Sequence, residues 1–390
     1  TTPGGETFNN LTVNAAGGTL TLNSPATVNN AFSLTTGTIA IGANILTLNS
    51  TVTGGGALTS AGTGTVIYNQ GSGGQSVVAG NYGNLVFGDF DKTLAPAGTI
   101  GIAGTFTPGA AAGHTVAGST IDFNGGPQAI PAFAYNNLVL SGSGTKTGSA
   151  LITVGGNLTN NPGIVFSGTT TLNLNGLTLT NGGTLVAATV SVGPGALLTN
   201  NGTLTAGSAL SGAGTVIQGA TSLLKIGGTA AIAALDASAA GNSVNYTGAA
   251  QTVIPVTYHH LALSGSGAPI LTGVGTINGD FTLSGTVTAA AATGMTVGGN
   301  LTIGSGTSFD AGGFSHTLKG NWSSAGTFAA GTSTITLNGT SAQTMSGSTF
   351  HNLSIANAAG VTMLTDETVN GTLTLTSGNF SIGAHTLTLN

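Results

Sequence analysis

The sequence predicts an all-β protein that folds as a parallel β-solenoid, in which each coil of the chain stacks on the coil before it. Three observations support this prediction: apolar residues recur at every second position, glycine makes up 68 of the 390 residues, and one residue pattern recurs five times. At roughly 20 residues per coil, the chain makes about 19 short coils. Threonine and asparagine are frequent between the apolar positions.

The alternation of apolar and polar residues predicts short strands rather than helices. Leu20–Leu22, Leu46–Leu48 and Leu387–Leu389 each enclose a single threonine between two leucines. A period of two places the leucines on one face of a strand and the threonine on the other. Segments such as Asn181–Gly183 and Asn200–Gly202 lie between the alternating stretches, and such residues favour turns. The chain is therefore expected to form many short strands joined by tight turns.

The recurring pattern has two parts that follow each other at a nearly constant distance. In four of its five occurrences a glutamine comes ten residues before a leucine, and an aromatic residue comes three residues before that leucine. These are Gln75 with Tyr82 and Leu85, Gln128 with Tyr135 and Leu138, Gln251 with Tyr258 and Leu261, and Gln343 with Phe350 and Leu353; Phe8 with Leu11 lacks the glutamine. A β-branched residue with Leu or Phe four positions later follows each time, at Val28 and Phe32, Ile102 and Phe106, Val154 and Leu158, Ile277 and Phe281, and Val369 and Leu373. Internal repetition of this kind is typical of stacked, similar units.

The spacing of the repeats favours a solenoid over tandem β-sandwiches, the alternative all-β arrangement. The five leucines are 74, 53, 123 and 92 residues apart. Sandwich domains would repeat at a fixed length, whereas a solenoid can gain or lose whole coils. Residues 28–48 also align without a gap with residues 369–389. We expect one continuous domain over residues 1–390, with repeats near 8–32, 75–106, 128–158, 251–281 and 343–373.

Composition excludes several classes of partner. Only 3% of residues are charged, there is no arginine, and the four lysines are scattered. Nucleic-acid binding requires a basic surface, so we expect no nucleic-acid partner. No run approaches the roughly 18 apolar residues of a membrane-spanning helix, so we expect no transmembrane segment. The chain begins Thr1-Thr2-Pro3 without a signal sequence, and we expect an exported protein whose signal peptide is absent from this chain.

Candidate catalytic and metal-binding residues are few. Asp89 and Asp91 are two apart, which on a strand would place both carboxylates on one side, roughly 7 Å apart, as in some polysaccharide-cleaving enzymes. A solvated turn is the simpler interpretation. Asp366 and Glu367 are adjacent and would face opposite sides. We therefore expect no enzymatic activity, no catalytic residue and no cofactor.

Other side chains that could bind a ligand also have a simpler interpretation. His259 and His260 are adjacent, so on a strand they would face opposite sides and could not chelate one metal. The equivalent positions in other repeats hold asparagine, which indicates a ladder of stacked side chains, and we expect no metal site. Trp322 and Tyr246 are expected to pack in the core. Threonine pairs such as Thr334 and Thr336 would suit an ice-binding face, but threonine, asparagine, serine and glycine interchange at these positions.

Several segments resemble those of known exported proteins. The Gly-Asn-Leu-Thr strands at Gly156–Thr159 and Gly299–Thr302, and the segment Gly331–Gly339, resemble those of secreted right-handed β-helix proteins of bacteria. This group includes filamentous-haemagglutinin-like adhesins and autotransporter passengers. The resemblance implies a right-handed β-helix at the cell surface or outside the cell.

The two ends of the sequence suggest self-assembly. Solenoids expose a sheet edge at each end and normally protect it with polar caps or charges. The strand Leu387–Asn390 resembles the internal strand Ile335–Asn338, which continues into another coil. We therefore expect an extracellular structural protein whose copies stack head to tail into a fibre, through Phe8 and Leu11 of one copy and Leu387 and Leu389 of the next. An adhesin shaft or a surface module that binds cell-surface glycans is the alternative; an ice-binding solenoid and a polysaccharide-cleaving β-helix are further ones.

Overall fold

The protein is a parallel β-solenoid of about 19 coils. The computed structural model describes residues 5–149, 151–174 and 178–390. Within these ranges the regular secondary structure consists of strands alone, and the described strand pairs are parallel. The predicted fold class is therefore confirmed, and tandem antiparallel sandwiches are excluded for this part of the chain.

The strands are short and follow one another around each coil. Within residues 5–174 they are β1 (Glu6–Thr21), β2 (Ala26–Ala40), β3 (Ile45–Leu48), β4 (Thr51–Thr53), β5 (Ala57–Thr59), β6 (Thr65–Tyr68), β7 (Gln75–Val77), β8 (Gly80–Tyr82), β9 (Asn84–Phe87), β10 (Lys92–Leu94), β11 (Thr99–Ile102), β12 (Phe106–Thr107), β13 (Thr120–Phe123), β14 (Gln128–Ile130), β15 (Ala134–Tyr135), β16 (Asn137–Leu140), β17 (Thr145–Gly148), β18 (Leu151–Val154), β19 (Leu158–Asn160) and β20 (Val165–Leu174).

Within residues 178–390 the strands are β21 (Thr178–Asn181), β22 (Thr184–Val192), β23 (Leu197–Asn200), β24 (Thr203–Gln218), β25 (Leu223–Ile226), β26 (Thr229–Asp236), β27 (Ser243–Tyr246), β28 (His260–Leu263), β29 (Ser266–Gly267), β30 (Ile270–Leu271), β31 (Thr276–Ile277), β32 (Phe281–Leu283), β33 (Thr286–Ala291), β34 (Thr296–Val297), β35 (Leu301–Ile303), β36 (Ser308–Asp310), β37 (Ser315–Leu318), β38 (Trp322–Ser324), β39 (Thr327–Ala329), β40 (Thr334–Leu337), β41 (Gln343–Ser346), β42 (Thr349–Phe350), β43 (Asn352–Ala356), β44 (Val361–Met363), β45 (Glu367–Val369), β46 (Leu373–Ser377), β47 (Phe380–Ser381) and β48 (Leu387–Leu389).

The chain divides into two compact units, Thr1–Ala187 and Ala188–Asn390. Each contains stacked parallel coils. The expectation of one continuous domain stays a prediction.

Three strands form the sides of a coil in the first unit. The long strand β2 pairs with β3, β4 and β5 of the following coil. Phe32 is the register partner of Val52, and Leu48 is the partner of Tyr68, so one coil takes 20 residues at these positions. This value agrees with the coil length assumed from the sequence.

Apolar side chains stack in columns inside the coils. Phe8, Val28, Leu48 and Tyr68 follow one another as register partners in the first unit, and Val28, Leu48 and Tyr68 are at most 1% exposed. In the second unit Phe350 pairs with Val369, which in turn pairs with Leu389. Burying an aliphatic or aromatic side chain stabilises the fold by about 1.5–3 kcal/mol, so each buried residue of these columns contributes to stability.

Most threonine and many asparagine side chains lie on the outside, as the alternation predicted, whereas Asn160, Asn181, Asn200, Asn242 and Asn357 are buried. The amide of Asn49 donates to Oδ1 of Asn29 at 2.9 Å, and the amide of Asn69 donates to Oδ1 of Asn49 at 3.2 Å. Such a ladder satisfies the polar side chains of successive coils with one another.

Candidate functional site

The two parts of the repeat are packed against each other. Tyr82 is the register partner of Ile102, and Leu85 is the partner of Phe106. The other four occurrences show the same pairing: Phe8 with Val28 and Leu11 with Phe32, Tyr135 with Val154 and Leu138 with Leu158, Tyr258 with Ile277 and Leu261 with Phe281, and Phe350 with Val369 and Leu353 with Leu373. The repeat is therefore a stack of two coils, and its anchor residues are buried except Phe8, Leu11 and Leu373, which are partly exposed.

The coil that contains the glutamine is short. Ile121 and Leu138 are register partners 17 residues apart, whereas Leu138 and Leu158 are 20 residues apart. Among the described pairings, the strand of Gln128, β14, pairs with the later strand β17. The contact with the earlier coil is made by the glutamine side chain instead.

Each glutamine closes a corner between two coils. Nε2 of Gln128 donates to the carbonyl oxygens of Ile102 and Gly104, both at 2.8 Å, and its Oε1 accepts the backbone N–H of Gly125 at 2.9 Å. The other three make the same set of contacts: Gln75 with Leu48, Ser50 and Gln70, Gln251 with Ile226, Gly228 and Gly248, and Gln343 with Leu318, Gly320 and Gly339. All four side chains are buried. The arrangement satisfies backbone groups at a turn and has no reactive geometry.

Two of these corners receive a further donor from the next coil. Nζ of Lys146 donates to Oε1 of Gln128 at 2.6 Å and to the carbonyl oxygen of Gly126 at 2.7 Å. Nδ2 of Asn357 donates to Oε1 of Gln343 and to the carbonyl oxygen of Ser341, both at 2.7 Å. Gly126 and Ser341 each precede their glutamine by two residues, so an ammonium and an amide perform the same task.

Two lysines are buried, which was not predicted from the sequence, because lysine is usually a surface residue. Lys146 and Lys92 are fully buried, and they are the register partners of Gln128 and Gln75, respectively. Burial lowers the pKa of Lys146, and the nearby Asp122 carboxylate opposes that shift. The sequence did contain a sign of this burial. Lys146 lies between Thr145 and Thr147 in β17, and in an alternating strand two outward threonines place the residue between them on the inner face.

The paired acidic residues Asp89 and Asp91 do not lie on one strand. Asp89 lies in a bend, and Asp91 directly precedes β10. Oδ1 of Asp91 accepts the backbone N–H of Gly113 at 2.8 Å. The predicted turn is confirmed, and the two carboxylates are not arranged along one strand.

Asp366 and Glu367 face opposite sides, as expected. Asp366 is exposed and Glu367 is 2% exposed. The Glu367 carboxylate accepts the backbone N–H groups of Gly347 and Ser348 at 2.8 and 2.9 Å, and the hydroxyl of Thr365 at 2.7 Å. Burial raises the pKa of Glu367, although these three donors partly oppose the shift. This carboxylate is held as a structural acceptor.

The histidine pair differs from expectation. The rings of His259 and His260 lie side by side with centroids 4.3 Å apart, because His259 is in a bend and not on the strand. The prediction that the two histidine side chains face opposite sides was therefore wrong. Nδ1 of His260 accepts the backbone N–H of Asp280 at 2.9 Å.

The ladder interpretation of this position is confirmed. The carbonyl oxygens of the Asn84, Asn137 and Asn352 side chains accept the backbone N–H of the next coil in the same way as His260. In the part of the chain that the structure describes, no group of three or more His, Cys, Asp or Glu residues is placed to hold a metal ion.

Trp322 and Tyr246 are core residues, as predicted, and each is 2% exposed. Nε1 of Trp322 donates to Oγ of Ser348 at 2.8 Å, and the hydroxyl of Tyr246 is hydrogen-bonded to that of Tyr258 at 3.0 Å.

A groove of about 500 Å³ crosses three coils of the first unit beside Gln75. Its walls include Val52, Val78, Leu94 and Pro96, and its lining contains no ionisable side chain. The groove therefore contains no side chain of the kind that usually acts in acid–base catalysis.

The coil at residues 369–389 exposes leucine side chains. It aligns with the coil at residues 28–48, but its side chains are not covered by a further coil among the described residues. Leu34 and Leu48 are at most 1% exposed, whereas their counterparts Leu375 and Leu389 are 61% and 59% exposed. Leu387 is partly exposed.

The coil at residues 6–21 has the complementary feature. Phe8 and Leu11 are partly exposed, although the equivalent residues Phe350 and Leu353 are fully buried. On one side of each of these two coils, no described coil packs on the apolar side chains.

Comparisons with known proteins supply no relative. No family model, no curated protein and no solved structure matches the chain. The described residues contain no helix with the length and apolar character needed to span a membrane.

Proposed function

We propose that this protein is an extracellular structural protein, the subunit of a surface fibre that grows by head-to-tail stacking of β-solenoids. The observation that carries the proposal is the pair of equivalent coils at 28–48 and 369–389. The first is covered by the next coil, and the second presents the same kinds of side chain uncovered.

The covered coil supplies the register for the contact between copies. Leu48 is covered by Tyr68, with Thr65–Tyr68 pairing in parallel with Ile45–Leu48. A second copy that follows the same register places its Phe8 on Leu389. An aromatic ring then covers a leucine in both cases, and the unpaired backbone groups of two strand edges pair.

Such an interface joins two different faces and does not close on itself. Heterologous contacts of this kind produce open filaments. The formal net charge is only -5 over 390 residues. Electrostatic repulsion between copies is therefore weak and does little to prevent their association. No catalytic role is proposed, because the acidic and histidine side chains described above serve as hydrogen-bond acceptors or lie in turns.

Electron microscopy and sedimentation velocity of the purified chain at micromolar concentration test the proposal. We expect filaments with the width of one solenoid and a mass distribution that grows with concentration. A monomer at every concentration, without filaments, would overturn it.

A second candidate is binding to an ordered surface such as ice. Six hydroxyl residues follow one another as register partners on the outside of the second unit: Thr276, Thr296, Thr317, Thr336, Ser354 and Thr374. This column is more regular than the sequence suggested. Thermal hysteresis of the purified chain tests it, and freezing behaviour equal to that of buffer with an inert protein would exclude it.

A further inference from the structure

The open coil at residues 6–21 carries a carboxylate at an interior position. Glu6 is the register partner of Ala26, Ala26 is the partner of Leu46, and Leu46 is the partner of Val66. Ala26, Leu46 and Val66 are at most 3% exposed. Glu6 belongs to the same column, but it is exposed because no described coil lies on that side.

Head-to-tail stacking would bury this carboxylate. In the register that places Phe8 on Leu389, Glu6 takes the position of Val66 and lies on Leu387, the counterpart of Leu46. An ionised carboxylate is costly to bury unless donors surround it. Charged residues that point toward the interior are also a known protection of sheet edges against pairing.

Glu367 shows what this column requires of a buried carboxylate. It is the counterpart of Ala26 in the aligned coil, and two backbone N–H groups and a hydroxyl donate to it. On the face that would receive Glu6, the ionisable side chains are His385, Asp366 and Glu367, and Asp366 already lies 3.7 Å from Nδ1 of His385. The strand packed under Glu6, β2, contains no ionisable residue.

We propose that Glu6 is a charge gate on the head-to-tail contact, which keeps assembly weak while its carboxylate is ionised. The inference rests on the proposed function, since it concerns the same contact between copies. Its physical basis is a carboxylate at the position where the aligned coil has the buried Val66; this carboxylate would lie between Leu387 of one copy and Ala26 of its own chain. Removal of the charge strengthens stacking, and an apolar side chain at this position strengthens it most.

The test compares the wild-type chain with Glu6→Gln and Glu6→Val at neutral pH. The critical concentration for assembly is measured by light scattering and sedimentation. We expect it to fall at least tenfold in Glu6→Val, with Glu6→Gln between the two. Asp89→Val removes one negative charge from an exposed bend and serves as the control for net charge; it should behave as the wild type does.

The outcomes separate the gate from the fibre itself. If wild type and Glu6→Val assemble at the same critical concentration, the gate is overturned and the fibre stands. If neither assembles, head-to-tail stacking is overturned as well. Glu6→Val combined with Leu389→Asp should lose assembly, and filaments formed by this double variant would overturn the assigned register. Thermal unfolding of each variant establishes that the coils remain folded.

Discussion

The ammonium of Lys146 lies 2.6 Å from Oε1 of Gln128, although the two residues are 18 positions apart and both are buried. The same amide reaches back to the carbonyl oxygens of Ile102 and Gly104. This contact therefore links three successive coils at one corner. It explains how a chain with few charged residues can hold lysine in its interior.

Lys146→Met is expected to lower the free energy of unfolding by about 1–3 kcal/mol, because the carbonyl oxygen of Gly126 loses its donor and Oε1 of Gln128 keeps only the N–H of Gly125. Urea denaturation monitored by circular dichroism measures the change. Lys225→Met is the matched control, since Lys225 lies on the outer face of β25, and its effect should stay within about 0.5 kcal/mol. Equal losses in the two variants would contradict the role of the corner.

Gln128→Ala should also destabilise the protein by about 1–3 kcal/mol, since the carbonyl oxygen of Gly104, the N–H of Gly125 and Nζ of Lys146 each lose a partner. The carbonyl oxygen of Ile102 keeps the backbone N–H of Asn124. The same denaturation experiment applies. Asn30→Ala removes an exposed amide that bonds Asn10 on the outer surface, and it should have little effect. A Gln128→Ala variant as stable as Asn30→Ala would show that the corner does not need its side chain.

The burial of Glu367 is expected to make the stability of the protein decrease as pH rises. Burial raises its pKa above the ordinary value of 4.5, so the folded state binds the proton more tightly than the unfolded state does. Its contribution is fully present below the unfolded pKa and is lost as pH rises through the folded pKa. Wild-type stability should therefore fall relative to Glu367→Gln as pH rises from about 4 toward 7.

Unfolding free energies of both proteins across this range measure the difference. Asp366→Asn changes the exposed neighbour and is the control. Parallel stability profiles for wild type and Glu367→Gln would refute the predicted linkage.

Leu389→Asp should abolish filament growth, because it places a charge where Phe8 of the next copy would pack. Leu151→Asp is the matched control: Leu151 is 51% exposed and Leu389 is 59% exposed, but Leu151 lies on the outer side of β18, away from the open coils. Sedimentation and electron microscopy record assembly of both. Filaments from Leu389→Asp, or none from Leu151→Asp, would argue against coil-on-coil stacking.

Much of the fold followed from local patterns. Alternation of apolar and polar residues sets which side chains face inward, and the pairing of Tyr82 with Ile102 appears in sequence as a recurring distance of one coil. Contacts between residues of different coils were not accessible in this way. The rings of His259 and His260 meet because a bend interrupts the alternation.

The parallel solenoid, the length of its coils and the stacking of its repeats are predictable from the chain, because alternation and repetition are local properties of the residues. Which polar residues are buried and which apolar residues are exposed depends on contacts between coils. Lys146 is satisfied by carbonyl oxygens that stacking brings to one corner. Leu48 and Leu389 occupy aligned positions in the sequence, and among the described residues a later coil packs on Leu48 but none packs on Leu389. Burial depends on the neighbouring coil, and that neighbour is not encoded within the coil itself.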